Sequence, residues 1–222
     1  MTLSVSPNSL INFAALSNAS VNNEPFPYTI ISSFLNVEHI NALVEAFPKI
    51  KNRGSIPAQS VVSQPLFQAL IKELEGPLLR AIIAEKFSIE LENKPTMLTL
   101  RGHTTKRDGF IHTDSRSKLI TLLLYMNATW EHETGELCLL RDKNSLENPV
   151  ARITPKAGNC LIFKVTPNCW HGHHPFVGKR LSIQLNYLSG EAALNKHLNH
   201  HRLTAWIKNK LSKFTPNSNE TY

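Results

Sequence analysis

The sequence predicts a mainly β protein with flanking helices, and two patterns carry this prediction. After Pro95, six short β-prone runs follow one another at near-regular spacing, separated by turn-rich pieces, which is typical of a β-sandwich or barrel. Apolar residues recur at helical spacing before this part, and a further helical pattern follows it. The six predicted strands are Met97–Leu100, Lys118–Met126, Gly135–Leu140, Val150–Ile153, Cys160–Val165 and Arg180–Tyr187.

The residues around this β-rich part predict the supporting elements. Asn36 can cap a helix that Pro48 ends, and Gly76–Pro77 breaks a longer helical pattern in two. We therefore divide the chain into a lead-in with supporting helices (1–95), a β core (96–190) and a C-terminal helix and tail (191–222). The expected elements are a loose lead-in at 1–24, a strand over Tyr28–Leu35, a helix over Val37–Phe47, a loop at 51–63, helices within Leu66–Ile83 and a helical tail over Glu191–Lys213.

Composition excludes several classes of protein. With 222 residues, 41% hydrophobic and 18% charged, the chain can bury a full core, and wholesale disorder is excluded. It has no apolar run long enough to span a bilayer and no basic-then-apolar start typical of a secretory signal. Its three cysteines form neither a disulfide framework nor a CxxC pair, so we expect a reducing, cytoplasmic setting. The net charge of +7 comes without a block of like charges, which favours a merely basic surface.

Ten histidines are unusual for this length, and six of them fall between His103 and His174. His112 and Asp114 lie two residues apart, so on a strand their side chains share one face and can converge on one metal ion. A second ligand histidine is available near residue 171, where His171, His173 and His174 compete. Two histidines and one carboxylate form the facial triad of non-haem iron oxygenases, which leaves three coordination positions open.

An arginine completes the pattern. Arg180 lies nine residues after His171, at the start of an alternating apolar strand. A keto acid that chelates the metal would need a planar, always charged and bidentate partner for its far carboxylate, and arginine suits that role better than lysine.

These residues resemble the Fe(II)/2-oxoglutarate-dependent dioxygenase superfamily, in particular its prolyl-4-hydroxylase-like branch. The match is good over about 97–188 and loose over 26–96. The matching pieces are His112-x-Asp114, Ile120–Asn127, Gly135–Leu137, the Pro155–Phe163 turn and strand, and His171 followed by Pro175, Gly178, Arg180 and Ser182.

The resemblance implies a double-stranded β-helix (jelly roll, cupin-like) core with helices packed outside. It implies Fe(II) held by His112, Asp114 and His171, and 2-oxoglutarate held by Arg180 with Ser182 beside it. With O₂ the reaction would give succinate and CO₂ and hydroxylate an unactivated C–H of an amino-acid, peptide, protein or natural-product substrate, with ascorbate as an auxiliary reductant.

The pattern departs from the branch at one strand. A tyrosine that the branch often carries before the HxD turn is absent, so we expect Arg101 or Tyr125 to contact the keto acid instead. The carboxylate at Asp114 disfavours the halogenase variant of the site. Weaker candidates for the substrate mouth are Trp130, His103 and His132.

Two other functions remain open. A non-catalytic, zinc-type β-helix module would use the same three ligands, but it has no need of Arg180. A nucleic-acid-directed oxygenase would need a basic groove with exposed aromatics, and aromatic residues are only 8% of the chain. We therefore expect a small-molecule or peptide substrate and neither a nucleic-acid nor a membrane partner.

Overall fold

A computed structural model describes residue 6, residues 8–50 and residues 54–199 of the chain. Its β-strands form a six-stranded sheet in the order β1-β7-β4-β9-β3-β2 and a three-stranded sheet in the order β6-β5-β8. All the pairings are antiparallel. The strands are β1 Tyr28–Ile31, β2 Ile56–Pro57, β3 Thr96–Thr104, β4 Lys118–Tyr125, β5 Leu137–Leu139, β6 Ala151–Ile153, β7 Cys160–Lys164, β8 His171–Gly172 and β9 Gly178–Leu188.

Helices cover one face of the large sheet. Alternate residues of its central strands, such as Leu122 on β4 and Ile183 on β9, are fully buried in one cluster with Leu70, Leu74 and Ile83 of the helices. This burial of aliphatic side chains is the main source of stability in such a layered fold. The helices are α1 Phe13–Asn18, α2 Ile40–Ala46, α3 Pro65–Leu74 and α4 Pro77–Lys86, with short 3-10 helices at Val37–His39 and Ala58–Ser60.

The opposite face of the large sheet packs against the small sheet. A second buried cluster joins Tyr125 and Phe163 of the large sheet to Leu137, Leu139 and Ile153 of the small one. The side chains that alternate with the helix-facing residues therefore point between the two sheets. Polar residues on this inner face are available for a site.

The prediction of a loose lead-in is wrong for the described residues 8–24, which precede β1. Asn12 caps α1 by accepting a hydrogen bond from the backbone N–H of Ala15. Glu73 of α3 accepts hydrogen bonds from the backbone N–H groups of Leu10 and Ile11, at 3.0 Å each. The segment is ordered because its scattered apolar residues are buried in the helix-facing cluster, namely Leu10, Ile11, Phe13 and Leu16.

Most other elements agree with the predictions. The helical region is interrupted at Gly76, since α3 ends at Leu74 and α4 begins at Pro77. Strand β3 is longer than predicted, and the two-residue strands β2 and β8 were not expected.

The predicted tail is described only in part. Residues 191–199 are helical, and the rest of the predicted helix over Glu191–Lys213 lies outside the described residues. In the part of the chain that the structure describes, no helix is long and apolar enough to cross a membrane. The proposed three-part division of the chain stays a prediction.

Candidate active site

The two histidines of the predicted triad are joined through their backbones. The N–H of His112 donates to the carbonyl of His171, and the N–H of His171 donates to the carbonyl of His112, both at 2.9 Å. His112 forms an isolated bridge rather than part of a regular strand. The bridge nonetheless brings the two imidazole rings to 4.4 Å between centroids.

Backbone carbonyls fix the tautomer of both rings. Nδ1 of His112 lies 2.8 Å from the carbonyl oxygen of Phe110, and Nδ1 of His171 lies 2.8 Å from that of Cys169. Because a carbonyl can only accept, each Nδ1 carries the proton and each Nε2 keeps its lone pair. Burial, together with the nearby His112, lowers the pKa of His171 to about 4. The buried ring is therefore neutral at ordinary pH, which is the form that binds a metal.

Asp114 completes the cluster. One potential ligand atom from each of His112, Asp114 and His171 lies within 4.8 Å of the others. The Asp114 side chain is only 9% exposed, and its burial alone would raise the carboxyl pKa. The charge of Lys118, the electrostatic influence of the His171 ring and the hydroxyl of Thr121 outweigh burial and lower that pKa below its usual value, so the group stays ionised.

Two residues on β4 hold the carboxylate. The ammonium of Lys118 lies 2.9 Å from Oδ1 of Asp114, and the hydroxyl of Thr121 donates to Oδ2 at 2.5 Å. Thr121 in turn accepts a hydrogen bond of 2.8 Å from the side-chain amide of Asn186, its cross-strand neighbour on β9. Partners of this kind orient a metal ligand. The sequence did not single out Lys118 or Thr121, because their contacts with Asp114 depend on how β4 lies beside the HxD turn.

The cluster opens into a cavity of about 270 Å³ between the two sheets. Of the sequence-predicted residues, His112, Asp114, His171, Arg180, Ser182 and Arg101 all line it. Leu123, Leu137 and Phe163 form an apolar wall.

Arg180 lies at a buried end of this cavity and is 4% exposed. Its Nε donates to the carbonyl of Gly135 at 2.8 Å, and its Nη2 donates to the hydroxyl of Tyr125 at 3.0 Å. Burial raises the pKa of Tyr125, with the charge of Arg180 acting against the rise. Ser182 faces Tyr125 across β4 and Arg101 across β3 in the strand register. The structure thus gathers four predicted residues on three adjacent strands.

A second polar corner of the cavity was not predicted. Arg101 forms an ion pair of 3.0 Å with Asp108, in the loop that leads from β3 to His112. His173 is 5% exposed and lines the same cavity. Burial first, and then the charge of Arg180, lower its pKa to about 4. Nothing in the local sequence singled out Asp108, because its partner lies on a different element.

The weaker substrate candidates lie elsewhere. Trp130 and His132 pack edge-on against each other, and both rings pack in tilted orientations against Phe176, at centroid distances of 4.8 to 5.0 Å. His103 is exposed on β3 opposite Lys179. None of Trp130, His132 and His103 is among the described residues that line the main cavity.

Comparison with known families supports this arrangement. Residues 100–188 match the model of the 2OG-Fe(II) oxygenase superfamily, and these residues contain the triad, Tyr125, Arg180 and Ser182. The resemblance to this superfamily, predicted from the motifs, is therefore confirmed over these residues. No curated protein matches the sequence.

Solved structures share the fold at low identity. A prolyl-4-hydroxylase from Pseudomonas putida superposes with a TM-score of 0.51 and 16% identity, over 72% of this chain and 91% of that chain. This likeness confirms the predicted double-stranded β-helix core. A viral collagen prolyl hydroxylase from Paramecium Bursaria Chlorella virus-1, solved as a 2-oxoglutarate complex, gives a TM-score of 0.49 at 16% identity, over 73% and 96% of the two chains.

Proposed function

We propose that this chain is a 2-oxoglutarate-dependent non-haem iron dioxygenase that hydroxylates an unactivated C–H of an amino-acid, peptide, protein or natural-product substrate. Residues 100–188, which match the model of the 2OG-Fe(II) oxygenase superfamily, support this proposal. One observation carries the proposal: a His-Asp-His cluster and a buried arginine–tyrosine pair line or adjoin the same cavity between the two sheets. Fe(II), 2-oxoglutarate and O₂ are the cofactor and cosubstrates.

The donor set fits Fe(II). His112 and His171 would each offer Nε2, because Nδ1 of each ring is committed to a backbone carbonyl. Asp114 would offer an ionised carboxylate that Lys118 and Thr121 hold in place. Three such ligands leave open positions for a keto acid and O₂, and a bound iron would then supply the oxidising chemistry.

Arg180, Tyr125 and Ser182 would hold the far carboxylate of 2-oxoglutarate. The Gly135 carbonyl and the Tyr125 hydroxyl fix the guanidinium of Arg180 in one orientation, so little side-chain freedom is lost when a carboxylate binds. Burial strengthens this charge pairing because the local dielectric is low. Tyr125, rather than Arg101, is the residue that contacts Arg180 directly.

The apolar wall has a separate role. Leu123, Leu137 and Phe163 flank the cavity, and their side chains would exclude water from the metal once the cosubstrate is bound. Exclusion of water protects a strongly oxidising site from unproductive reactions.

Anaerobic titration of the metal-free protein with Fe(II) and 2-oxoglutarate tests the proposal. We expect the weak visible charge-transfer band of the chelate, its loss in His112→Ala, and a dissociation constant for 2-oxoglutarate raised at least about tenfold in Arg180→Met. His103→Ala is the matched control, since this histidine lies outside the cavity, and it should behave as the wild type. Metal binding without any band at saturating 2-oxoglutarate would instead support the zinc-type module.

A further inference from the structure

The cavity contains more cationic groups than the cosubstrate requires, because Arg101 and Arg107 line it besides Arg180. In the proposed function one carboxylate of 2-oxoglutarate binds the metal, and Arg180 binds the other. Arg101 lines the same cavity, and its side chain is 28% exposed, whereas Arg180 as a whole residue is 4% exposed. The two arginines therefore lie at different depths, and Arg101 is nearer the solvent from which a substrate enters.

The guanidinium of Arg101 is held in place but keeps N–H donors without a partner among the described residues. Its Nη1 donates to Oδ1 of Asp108 at 3.0 Å. Asp108 is itself fixed, because its Oδ2 accepts from the backbone N–H and the hydroxyl of Thr105, at 2.8 and 2.9 Å. Among the described residues, no other group accepts a hydrogen bond from Arg101, so its remaining N–H donors are free for an oxyanion.

A hydrogen-bond acceptor lines the same cavity as this arginine. Nδ1 of His173 lies 2.8 Å from the carbonyl of His174, which places the proton on Nδ1 and leaves Nε2 as the acceptor of the neutral ring. No described residue donates to that Nε2. Because His173 lines the cavity, this acceptor is available to a ligand or to water there.

Backbone contacts fix the histidine against the loop that carries Asp108. The N–H of His173 donates to the carbonyl of Gly109 at 2.9 Å. Gly109 has φ of +96°, and a Cβ there would lie 2.3 Å from the carbonyl oxygen of His173. Only glycine permits this close approach. The backbone of His173 is therefore held against the loop that carries Asp108, the ion-pair partner of Arg101.

We propose that the corner made by Arg101, Asp108 and His173 is the substrate-recognition subsite, and that it binds an oxyanion whose neighbouring hydroxyl, amine or amide N–H donates to His173. A hydroxy- or amino-carboxylate and a phosphorylated hydroxy compound share this chemistry. Arg101 binds the anion through its free N–H donors, and Nε2 of His173 accepts from the adjacent donor. This inference rests on the proposed function, because it assigns the second ligand of the same cavity.

Binding measurements on the full-length protein, loaded with Ni(II) and saturating 2-oxoglutarate, test the subsite without oxygen chemistry. The probes are lactate (a carboxylate with a hydroxyl), acetate (a carboxylate alone), inorganic phosphate, and lactamide (a neutral analogue of lactate). We expect lactate or phosphate to bind and lactamide not to bind. If lactate binds, it should bind about tenfold more tightly than acetate, because it adds one hydrogen bond.

Variants assign the binding to residues. Arg101→Gln should weaken lactate and phosphate at least about tenfold, while the dissociation constant for 2-oxoglutarate changes less than about threefold. His173→Phe should abolish the preference for lactate over acetate and leave Ni(II) affinity unchanged. Arg107→Gln is the matched control, because Arg107 also lines the cavity but is exposed and makes no described side-chain ion pair.

Three results would overturn the subsite. First, the wild-type protein could bind 2-oxoglutarate but bind neither lactate nor phosphate more tightly than lactamide. This result contradicts the subsite and leaves the proposed function standing. Loss of 2-oxoglutarate binding in Arg101→Gln, with anion binding retained, would assign Arg101 to the cosubstrate. If Arg107→Gln weakens anion binding as much as Arg101→Gln does, then the general positive charge of the cavity, and not a specific contact with Arg101, binds the anion. Wild-type protein that does not bind 2-oxoglutarate at all contradicts the proposed function itself.

Discussion

The two faces of the large sheet use the same strands for different purposes. On β9, the helix-facing positions carry Leu181, Ile183 and Leu185, and all three are buried in one apolar cluster. The positions that alternate with them carry Arg180 and Ser182, which line the cavity. Because side chains alternate across a strand, one stretch of sequence provides both the core and the site. We therefore expect a substitution at a helix-facing position to lower stability, and a substitution at a cavity-facing position of the same strand to lower ligand affinity.

The largest effect should come from the helix-facing side. Leu122 on β4 is fully buried, so Leu122→Ala leaves a cavity in the core and should lower the free energy of unfolding by about 3–5 kcal/mol. Chemical denaturation measures this loss. The fraction that remains folded should bind Ni(II) with wild-type affinity, since Leu122 does not contact the triad. Reduced metal affinity in that folded fraction would show that the two faces are coupled.

Its neighbour on the same strand should give the opposite pattern. Thr121 faces the cavity and donates to Asp114, so Thr121→Val removes a hydrogen bond that orients the ligand. We expect Ni(II) affinity to fall about 10- to 100-fold, which calorimetric titration measures. Stability should fall by only about 1–3 kcal/mol, because the amide of Asn186, which is fully buried, loses its acceptor.

Thr121→Ser is the control for this position, because it keeps the hydroxyl. It should retain most of the metal affinity. If the serine variant loses as much affinity as the valine variant, the hydroxyl is not what orients Asp114.

Sequence patterns predicted the parts of the site that short spacing encodes. His112 and Asp114 are two residues apart, and Arg180 follows His171 by nine, so each pair could be identified without knowledge of the fold. The contacts of Thr121, Asn186 and Asp108 depend on which strands and loops become neighbours, and no local pattern carries that register. His173 stood out in the sequence only as a competitor of His171, and its place in the cavity came from the structure.

The same limit explains the error at the N-terminus. The Ser and Asn residues of the segment 1–24 suggested a loose lead-in. In the structure Asn12 caps a helix and the Ser9 hydroxyl donates to the Ile11 carbonyl, while apolar residues of the same segment are buried. The decisive contact, between Glu73 and the backbone of Leu10 and Ile11, joins residues more than 60 positions apart.

The smallest expected effect comes from the charge of Lys118 beside the triad. Its removal tests the contribution of charge on the cavity side of the sheet. Asp114 must be ionised and His171 neutral for a metal to bind. Lys118 lowers the pKa of both groups, so Lys118→Met should raise both pKa values. The affinity for Ni(II) is lost as the pH falls through these values, and we expect the midpoint of that loss to move upward by about one pH unit.

Lys179→Met is the matched control, since Lys179 is exposed on β9 and should leave the midpoint of Ni(II) binding unchanged. A midpoint that stays in place, or moves downward, in Lys118→Met would mean that the ion pair does not set the protonation of the cluster. Asp114 would then depend on its hydrogen bond with Thr121 alone. Suppose that the midpoint moves upward in Lys118→Met, whereas Thr121→Val loses affinity without any shift of the midpoint. The two β4 residues would then act on the same carboxylate by different means, Lys118 through charge and Thr121 through orientation.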